Sequence, residues 1–327
     1  MTSLSPLAQA VLRTLVYYDA FDYPLTVDQL WRWLYVGGWG VGNREWGAGD
    51  KDWTVVDIET ALDSLELKDR VEKSRGFNYL RGRSAIIESR LIRQVENEKK
   101  WRRALSAARF LEIVPFVKLV MVVNTVAISN AKPDSDIDLL IVTAPGHIWV
   151  TRMMVTGIVS MLGYRRHGDK ISNRICLSFY ITTDALDLER LESTDDPDHH
   201  YTFWASQAVP LLDDGGYFER YMKANDWVRQ RLPHAWQWDW KERLVPQTAL
   251  QTLKRLYEAF FSSPIGAWIE LWTRQRQLKK FDANTQSKAK EGTTDVVISE
   301  DVLKFHEGDR RREYNERFEK RLLELGL

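Results

Sequence analysis

The 327-residue chain has only one cysteine, Cys176. A single thiol excludes an intramolecular disulfide and a zinc site built from several cysteines, and it is typical of proteins from a reducing compartment. We therefore expect a cytoplasmic protein. The chain also lacks an excess of either charge, since 46 basic residues balance 46 acidic ones. General coating of nucleic acid or of an anionic membrane usually needs a marked cationic excess, so neither is expected.

Long uncharged apolar runs are absent as well. The two most apolar stretches are Leu111–Ser129, which contains Pro115 and Lys118, and Ile148–Tyr164, which contains Arg152. Both are at the short end of what a bilayer requires, and neither is free of charge. The first ten residues have no basic segment followed by an apolar one, so they do not resemble a secretion signal. The two stretches therefore predict buried elements, and no membrane partner is expected.

Apolar residues make up 44% of the chain, which is enough to bury the cores of two or three domains. Signals for the start of a helix occur at Ser5, Thr26 and Thr54 in the first segment, and the turn Ser74–Gly76 separates two short apolar runs. Three helices followed by a hairpin is the order of a winged helix. We therefore predict a winged-helix-like domain over residues 1–83.

The third predicted helix of this domain is acidic. Winged helices often bind DNA through that helix, and its carboxylates here would repel a phosphate backbone: Asp57, Glu59, Asp63 and Glu66. Residues 1–83 contain 10 basic and 12 acidic residues, a net charge of −2. A packing or partner-binding role is therefore favoured over recognition of a DNA sequence.

A glycine-rich loop, Val36–Trp53, lies between the second and third predicted helices. It holds six of the 18 glycines in the chain and three of its tryptophans. Glycines permit motion, and the aromatic rings give a closed form of the loop large apolar surfaces to bury. We expect this loop to become more ordered when substrate binds.

The remaining chain divides where the hydrophobic period changes. Residues 84–116 predict one basic linking helix, and residues 117–196 alternate β-branched runs with one helix, His147–Leu162. Further along the pattern is mostly helical, so residues 197–327 are predicted to form a helical C-terminal region with a polar stretch at Asp282–Asp295. The predicted fold class is α+β, with a small mixed β-sheet at its core.

The most informative stretch is Asn124–Val142. A strand ends at Asn124-Thr125, a polar turn follows, and a second strand opens with Asp136 and Asp138. Because these aspartates are two residues apart on a strand, both carboxylates project from the same face. Mg²⁺ needs such convergent carboxylates when it also holds substrate phosphates. The alternative is a solvated turn, but a turn would not require Asp138 inside the strand, where an unpaired carboxylate is costly.

The sequence Ser135-Asp136-Ile137-Asp138-Leu139 resembles the second half of a known signature, that of the nucleotidyltransferase superfamily of the DNA polymerase β type. The superfamily includes the kanamycin nucleotidyltransferase-like and minimal nucleotidyltransferase branches. The first half of the signature is a hydrophobic strand that ends in Gly-Ser, where this chain has Asn124-Thr125. The resemblance covers roughly Val117–Thr182, about a fifth of the chain, and implies a nucleotidyltransferase core over residues 117–196.

This resemblance also implies a chemistry. Asp136 and Asp138 would be the catalytic residues and would hold Mg²⁺, as two ions, while a nucleoside triphosphate is the substrate. Thr125 and Ser135 would contact its phosphates, Asn124 would take the place of the glycine that lets the backbone approach them, and Lys132 in the turn would neutralise their charge. The implied reaction transfers a nucleoside monophosphate to an acceptor hydroxyl on a small molecule, a protein side chain or an RNA end.

The family usually carries a third carboxylate on a later strand, but the predicted strand Ile175–Thr182 has no acid. Asp184 and Asp187 follow this strand and could reach back towards the pair. The departure supports a second hypothesis, in which a catalytically decayed core binds nucleotide in a regulatory or scaffold protein. A third hypothesis, a transcription factor with a nucleotide-sensing domain, is disfavoured by the acidic third helix.

Other polar groups are interpreted without a function. Several basic residues flank the signature and are expected mainly to be solvated: Arg152, Arg165, Arg166, Lys170 and Arg174. The polar stretch Lys304–Arg311 is interpreted as the charged beginning of a helix. Among the cations of this chain, Lys132 is therefore the one that the sequence favours as a phosphate ligand.

Overall fold

The computed structural model describes residues 4–37, 52–192, 198–282, 294–305, 308 and 310–327. The helices in these residues are α1 (Pro6–Asp19), α2 (Val27–Arg32), α3 (Val55–Leu62), α4 (Ile86–Leu111), α5 (Asn124–Ala127), α6 (Ile148–Met161), α7 (His199–Ser206), α8 (Tyr217–Ala224), α9 (Leu250–Phe261), α10 (Pro264–Asp282) and α11 (Arg311–Glu324). The strands are β1 (Val71–Ser74), β2 (Phe77–Leu80), β3 (Val117–Val122), β4 (Ile137–Thr143), β5 (Ile175–Thr182), β6 (Val209–Asp213), β7 (Val296–Ile298) and β8 (Val302–Phe305). None of these helices combines the length and the apolar character that crossing a membrane requires.

A mixed sheet forms the centre of the described residues. Its six strands have the order β6-β3-β4-β5-β8-β7, and neighbours are antiparallel except for β4 and β5, which are parallel and are connected through α6. Strands β1 and β2 form a separate antiparallel hairpin. The fold is therefore a mixture of helices and strands consistent with the predicted α+β class. Strands β4 and β5 and helices α4 and α6 lie close to their predicted positions.

The prediction of a helical C-terminal region is correct only in part, because residues 197–327 also contribute three strands to the sheet. Strand β6 pairs with β3, and β8 pairs with β5. These strands are only three to five residues long, which is too short for the spacing of apolar residues to separate a strand from a helix. Most of the polar stretch Asp282–Asp295 lies outside the described residues.

Different helices cover the two faces of the six-stranded sheet. Leu140 and Phe179 belong to a core shared with α1, α7 and α11, whereas Leu139 and Ile141 belong to a core shared with α4 and α6. Alternation along β4 puts Asp138 on the same face as Leu140. The aspartate pair therefore lies where the first of these two faces opens, at the beginning of β4.

The N-terminal helices begin at the predicted residues. The side chain of Ser5 caps α1, and Thr26 and Thr54 each open a capping box at the start of α2 and α3. The hairpin β1–β2 follows, so the order of elements over residues 4–83 is the predicted one. The assignment of this segment to the winged helices stays a prediction, and most of the loop Val36–Trp53 lies outside the described residues.

We expect the protein to bind duplex DNA weakly or not at all, because the solvent-facing side of α3 and the turn after it is acidic. Asp57, Glu59, Asp63 and Glu66 are all exposed, and Glu66 accepts hydrogen bonds from the backbone and hydroxyl of Ser5. Filter retention of random and promoter duplexes by the full chain, at about 150 mM salt, should detect no complex. Tight, sequence-dependent retention would contradict this expectation and favour the transcription-factor hypothesis.

Candidate functional site

Two aspartates and a thiol meet at the beginning of β4. Asp136 immediately precedes the strand, Asp138 is its second residue, and Cys176 is the partner of Asp138 on β5. One ligand atom from each residue, a carboxylate oxygen or the sulfur, lies within 4.8 Å of the other two. Strand β5 has one extra residue here, since the next pair along the two strands is Leu140 and Phe179, and such bulges redirect side chains. The predicted convergence of the two carboxylates is therefore present, together with a thiol that sequence reasoning did not assign.

Asn124 connects the aspartate pair to α7. Its side-chain amide donates a 2.7 Å hydrogen bond to Asp138 Oδ2, and its Oδ1 accepts a 2.7 Å hydrogen bond from Trp204 Nε1. The backbone of Asn124 has a φ of 61°, in the left-handed region that asparagine tolerates better than most residues. Thr125 follows in α5 and lines the same cavity as the pair. Both residues that stand where the resembling signature has Gly-Ser are therefore at the site.

Arg166 is the cation that contacts the pair. Its Nη1 lies 2.6 Å from Asp136 Oδ2 and 4.0 Å from Cys176 Sγ. The Arg166 side chain is 44% exposed, whereas that of Asp136 is 15% exposed. The ion pair therefore lies at the solvent edge of the site, where a long side chain can exchange one partner for another at little cost.

Burial and mutual repulsion make the ionised form of Asp138 unfavourable. Burial is the larger cause and the charge of Asp136 adds to it, so the pKa of Asp138 rises to about 6 although Asn124 donates a hydrogen bond to it. Burial, and to a smaller extent the charge of Asp138, raises the pKa of the Cys176 thiol to about 12. At neutral pH the site therefore holds two crowded carboxylates beside a protonated thiol.

A buried lysine of α4 holds the turn that carries the aspartates. Lys100 Nζ donates hydrogen bonds to the carbonyl oxygens of Ser135, at 2.7 Å, and Pro133, at 3.2 Å. On the other side of the turn, Asn97 Nδ2 donates a 3.0 Å hydrogen bond to the carbonyl oxygen of Val126. Lys100 is fully buried. Lys100, one of the cations that make this helix basic, therefore holds the backbone around the site.

Of the two predicted phosphate contacts in the turn, Ser135 lines the cavity and Lys132 does not. Lys132 is exposed, and its carbonyl oxygen accepts hydrogen bonds from the Ser135 backbone, at 3.2 Å, and hydroxyl, at 2.7 Å. The Ser135 oxygen keeps its capacity to accept a hydrogen bond. The geometry thus gives no support to Lys132 as the residue that neutralises phosphate charge.

The aspartate pair opens into a cavity of about 760 Å³, which we call the main cavity. One part of its wall is aromatic and includes Tyr17, Phe21, His200, Trp204, Phe305 and Tyr314. Another part is cationic and consists of Arg166, Lys304, Arg310 and Arg311. The lining comes from α1, α5, α7, α11, the strands β4, β5 and β8 and the segments beside them, so residues near both ends and in the middle of the sequence contribute. A cavity of this size suits a small ligand that has both charged and apolar parts.

Sequence reasoning missed the C-terminal wall of the main cavity. Lys304 is in β8 and Arg311 begins α11, so the polar stretch between them is not one helix start. Arg311 Nη1 donates a 3.0 Å hydrogen bond to the carbonyl oxygen of Leu191 and lies 3.3 Å from Asp198 Oδ2, which fixes the beginning of α11 beside α7. The only signal in the sequence was local polarity, because contacts across more than 100 positions leave no local pattern.

No third carboxylate reaches the pair from β5. Asp184 and Asp187 lie beyond the other end of this strand, and the usual rise per strand residue puts Asp184 roughly 26 Å from Cys176. Neither of them lines the main cavity. Among the described residues of its lining, Asp136 and Asp138 are the only acids.

We expect Asp138→Asn to stabilise the metal-free protein at neutral pH. The pKa of Asp138 in the folded protein, about 6, lies above its ordinary value of 3.8, so folding works against ionisation of this group. The gain is at most about 3 kcal/mol above pH 7, because each pK unit corresponds to about 1.4 kcal/mol. It shrinks as the pH falls through 6 and vanishes below 3.8.

Urea denaturation in the presence of EDTA, at about pH 7.5 and about pH 4.5, measures this difference. The exposed neighbour Asp134, which does not line the main cavity, provides the matched control, and Asp134→Asn should change the free energy of unfolding little at either pH. An Asp138→Asn protein that is less stable than the wild type at the higher pH would contradict the assignment of repulsion to this pair.

The chain was compared with protein-family models, curated proteins and solved structures. No family model matches it, and no curated protein or solved structure does so either. What can be said of its function therefore depends on the residues of the main cavity and on their geometry.

Proposed function

We propose that this protein is a magnesium-dependent nucleotidyltransferase, which transfers a nucleoside monophosphate from a nucleoside triphosphate to an acceptor hydroxyl. The observation that carries the proposal is the convergence of Asp136 and Asp138 on one strand face, at the mouth of a cavity with cationic and aromatic walls. The carboxylates suit a metal ion, the cations suit the phosphates, and the aromatic rings suit the base. The resemblance of the Asn124–Val142 stretch to the nucleotidyltransferase signature points to the same chemistry.

The donor atoms at the pair fit Mg²⁺. This ion prefers oxygen ligands and usually takes one or two carboxylates together with water and substrate phosphates. Asp136 and Asp138 offer the carboxylates, and the raised pKa of the Cys176 thiol keeps it protonated and outside the ligand set at neutral pH. A cation at the pair would also offset the burial and the repulsion that together raise the pKa of Asp138. When bound, Mg²⁺ would neutralise phosphate charge and align the phosphoryl group with the acceptor oxygen.

The walls of the main cavity suit the rest of a nucleotide. Lys304, Arg310 and Arg311 line one wall, where Arg310 pairs with Glu313 and Arg311 pairs with Asp198 and Asp295. A triphosphate or a departing pyrophosphate would add acceptors for the N–H groups of these cations. The ring of Tyr314 lies 4.8 Å from those of Phe21 and His200, measured between centroids. Aromatic faces stack on any nucleobase, so we assign the base to this wall.

The proposed reaction forms one bond and breaks one. The acceptor hydroxyl oxygen bonds to the α-phosphorus while the bond from that phosphorus to the bridging oxygen breaks, and pyrophosphate leaves with the electron pair. The hydroxyl proton passes to solvent, because Asp136 and Asp138 are the only acids among the described residues of the lining and both are assigned to the metal.

A second candidate function is nucleotide binding without turnover, in a regulatory or scaffold protein. The observation that favours it is that Cys176 lies opposite Asp138 on β5, while β5 supplies no acid. Asn124 in place of the signature's glycine is a second departure, since its side chain occupies one of the lone pairs of Asp138. Both candidates bind a triphosphate with Mg²⁺, and only the release of pyrophosphate separates them.

The test measures pyrophosphate release from each of the four ribonucleoside triphosphates with Mg²⁺, across a panel of small alcohols, protein hydroxyls and RNA ends. We expect release by the wild type and by Asp134→Asn, and none by Asp138→Asn. Binding of a triphosphate without release under any condition would favour the second candidate. A wild-type protein that neither binds nor turns over a triphosphate would contradict both.

A further inference from the structure

A second cavity, of about 500 Å³, lies beside the main one. The two cavities share four lining residues: Arg166, Cys176, Ser178 and Phe305. The remaining walls of the second cavity come from α6, β5, β7, the end of α10 and the segment between α6 and β5. A ligand in the second cavity therefore lies beside the main cavity, across the side chains that line both.

The second cavity has a strongly cationic lining. Arg152, Arg165, Arg166, His167 and Lys280 all line it, and none of the other described residues of its wall is acidic. Arg166 is paired with Asp136 at its edge. The side chains of Arg165 and Lys280 have no carboxylate within ion-pair distance among the described residues. Such a concentration of positive charge, which has Asp136 as its one carboxylate partner among the described residues, favours an anionic ligand.

Arg152 lies deepest in this charge cluster. Its guanidinium is stacked near three rings, at 4.9 Å from the centroid of Phe305, 5.1 Å from Phe281 and 5.9 Å from Tyr180. Its only hydrogen bond to a described side chain goes to the neutral amide of Gln277, and its Nε is buried without a partner. Because the guanidinium is buried among these rings, the pKa of Arg152 is lowered. A guanidinium held by apolar rings and a neutral amide keeps most of its charge available to a ligand.

We propose that the second cavity binds the phosphate group of the acceptor, so that the protein nucleotidylates the hydroxyl of a small phosphate-bearing alcohol; this rests on the proposed function. Arginine and lysine recognise phosphate oxygens through charge-assisted hydrogen bonds. The volume of about 500 Å³ holds a small molecule but not a folded RNA end or a protein domain. With its phosphate among Arg152, Arg165 and Lys280, such a molecule extends past Arg166 towards the pair.

The reaction leaves the phosphate of the acceptor unchanged. Its hydroxyl oxygen bonds to the α-phosphorus of the nucleotide, pyrophosphate departs with the electrons of the broken bond, and the hydroxyl proton passes to water. The product is a phosphodiester that joins the acceptor to the nucleoside. The same cations could instead hold phosphates of the nucleotide itself, and the experiments below separate the two sources.

The first experiment titrates inorganic phosphate into the full chain by calorimetry, with EDTA present to exclude metal. Arg165→Gln combined with Lys280→Gln should weaken phosphate binding about tenfold or more, since each charge-assisted contact contributes on that scale. Lys279→Gln, an exposed neighbour that does not line the cavity, should not change it. Asp138→Asn should not weaken it either. Unchanged binding in the double variant, or a loss caused instead by Arg310→Gln in the main cavity, would overturn the proposal.

The second experiment compares paired acceptors, glycerol with glycerol phosphate and ribose with ribose 5-phosphate, in the pyrophosphate-release assay. We expect only the phosphorylated members to be used, and the double variant to raise their KM about tenfold with the KM for ATP unchanged. A raised KM for ATP would mean that the cavity holds the nucleotide, which overturns the acceptor role.

Failure of the inference and failure of the proposed function have different signatures in these two experiments. Phosphate binding that depends on Arg165 and Lys280, in a protein that releases no pyrophosphate, would overturn the proposed function and the acceptor role while retaining an anion-binding cavity. Pyrophosphate release with unphosphorylated acceptors only, in a protein whose second cavity does not bind phosphate, would overturn the inference and retain the proposed function.

Discussion

Replacement of either Asp136 or Asp138 by asparagine should abolish most of the magnesium-dependent binding of ATP. Asparagine keeps the shape of the side chain but removes the charge that Mg²⁺ needs from its oxygen ligands. Even changes in the groups around metal ligands typically cost about 10–100-fold in affinity, so the loss of a ligand charge should cost at least about 100-fold. Calorimetric titration of ATP with and without Mg²⁺ measures the effect.

The double variant, Asp136→Asn with Asp138→Asn, should lose little more than either single one. One ligand atom from each of these residues lies within 4.8 Å of the other, so in the proposed site both would contact the same ion or ions and would act as one unit. Asp134→Asn should bind ATP like the wild type, because Asp134 is exposed and lies outside the main cavity. Unchanged binding by Asp138→Asn would overturn the assignment of the metal site and, with it, the nucleotidyltransferase proposal.

The largest effect on stability is expected from Asp198→Ala. Asp198 is fully buried, and its carboxylate accepts hydrogen bonds from the Tyr201 backbone at 3.0 Å and from Asn315 Nδ2 at 2.9 Å, besides its ion pair with Arg311. Removal of the carboxylate would leave the Arg311 guanidinium, whose side chain is 11% exposed, without this partner. Arg311 keeps an ion pair with Asp295 at 3.6 Å, so the loss of Asp198 should cost less than the about 3–5 kcal/mol of a fully uncompensated buried charge. The loss of the helix cap on α7 adds about 1 kcal/mol.

The loss of local stability in Asp198→Ala should be greatest at the C-terminal wall of the main cavity. Arg311 and Asn315 both belong to α11, so the amides of α11 should exchange hydrogen faster in Asp198→Ala even where the rest of the protein is unchanged. Asp187→Ala is the control, because Asp187 forms a more exposed ion pair with Arg190 and its loss should cost less than about 1 kcal/mol. Asp198→Ala with wild-type stability in urea would contradict this description of the pair.

The local features of this protein could be predicted from the sequence. Ser5, Thr26 and Thr54 begin their helices as predicted, because a cap depends only on residues within one turn. The aspartate pair could also be predicted, since two residues at positions i and i+2 of a strand share a face whatever surrounds them.

Features that depend on distant parts of the chain could not be predicted. The sequence predicts only a basic linking helix over residues 84–116, yet Lys100 of this helix is buried against the turn 33 to 35 residues further on. In the sequence, Lys304 and Arg311 are recognisable only as part of a polar stretch. They reach the main cavity because β8 pairs with β5, which lies more than 100 residues earlier in the chain. Lys132 was favoured because it lies near the aspartates in sequence, but the turn directs it to solvent.

The position of β8 between β5 and β7 has a consequence for synthesis on the ribosome. Strands β3, β4 and β5 are complete once residue 182 has been made, but β8 begins about 120 residues later. At roughly 5–20 residues per second, the nascent chain keeps the apolar edge of β5 uncovered for about 6–24 seconds. Unpaired edges of this kind attract other strands, so the growing chain is exposed to aggregation and to chaperones during this interval. The main cavity gains its last wall only when α11 emerges, so the cavity is complete only after that helix has been translated.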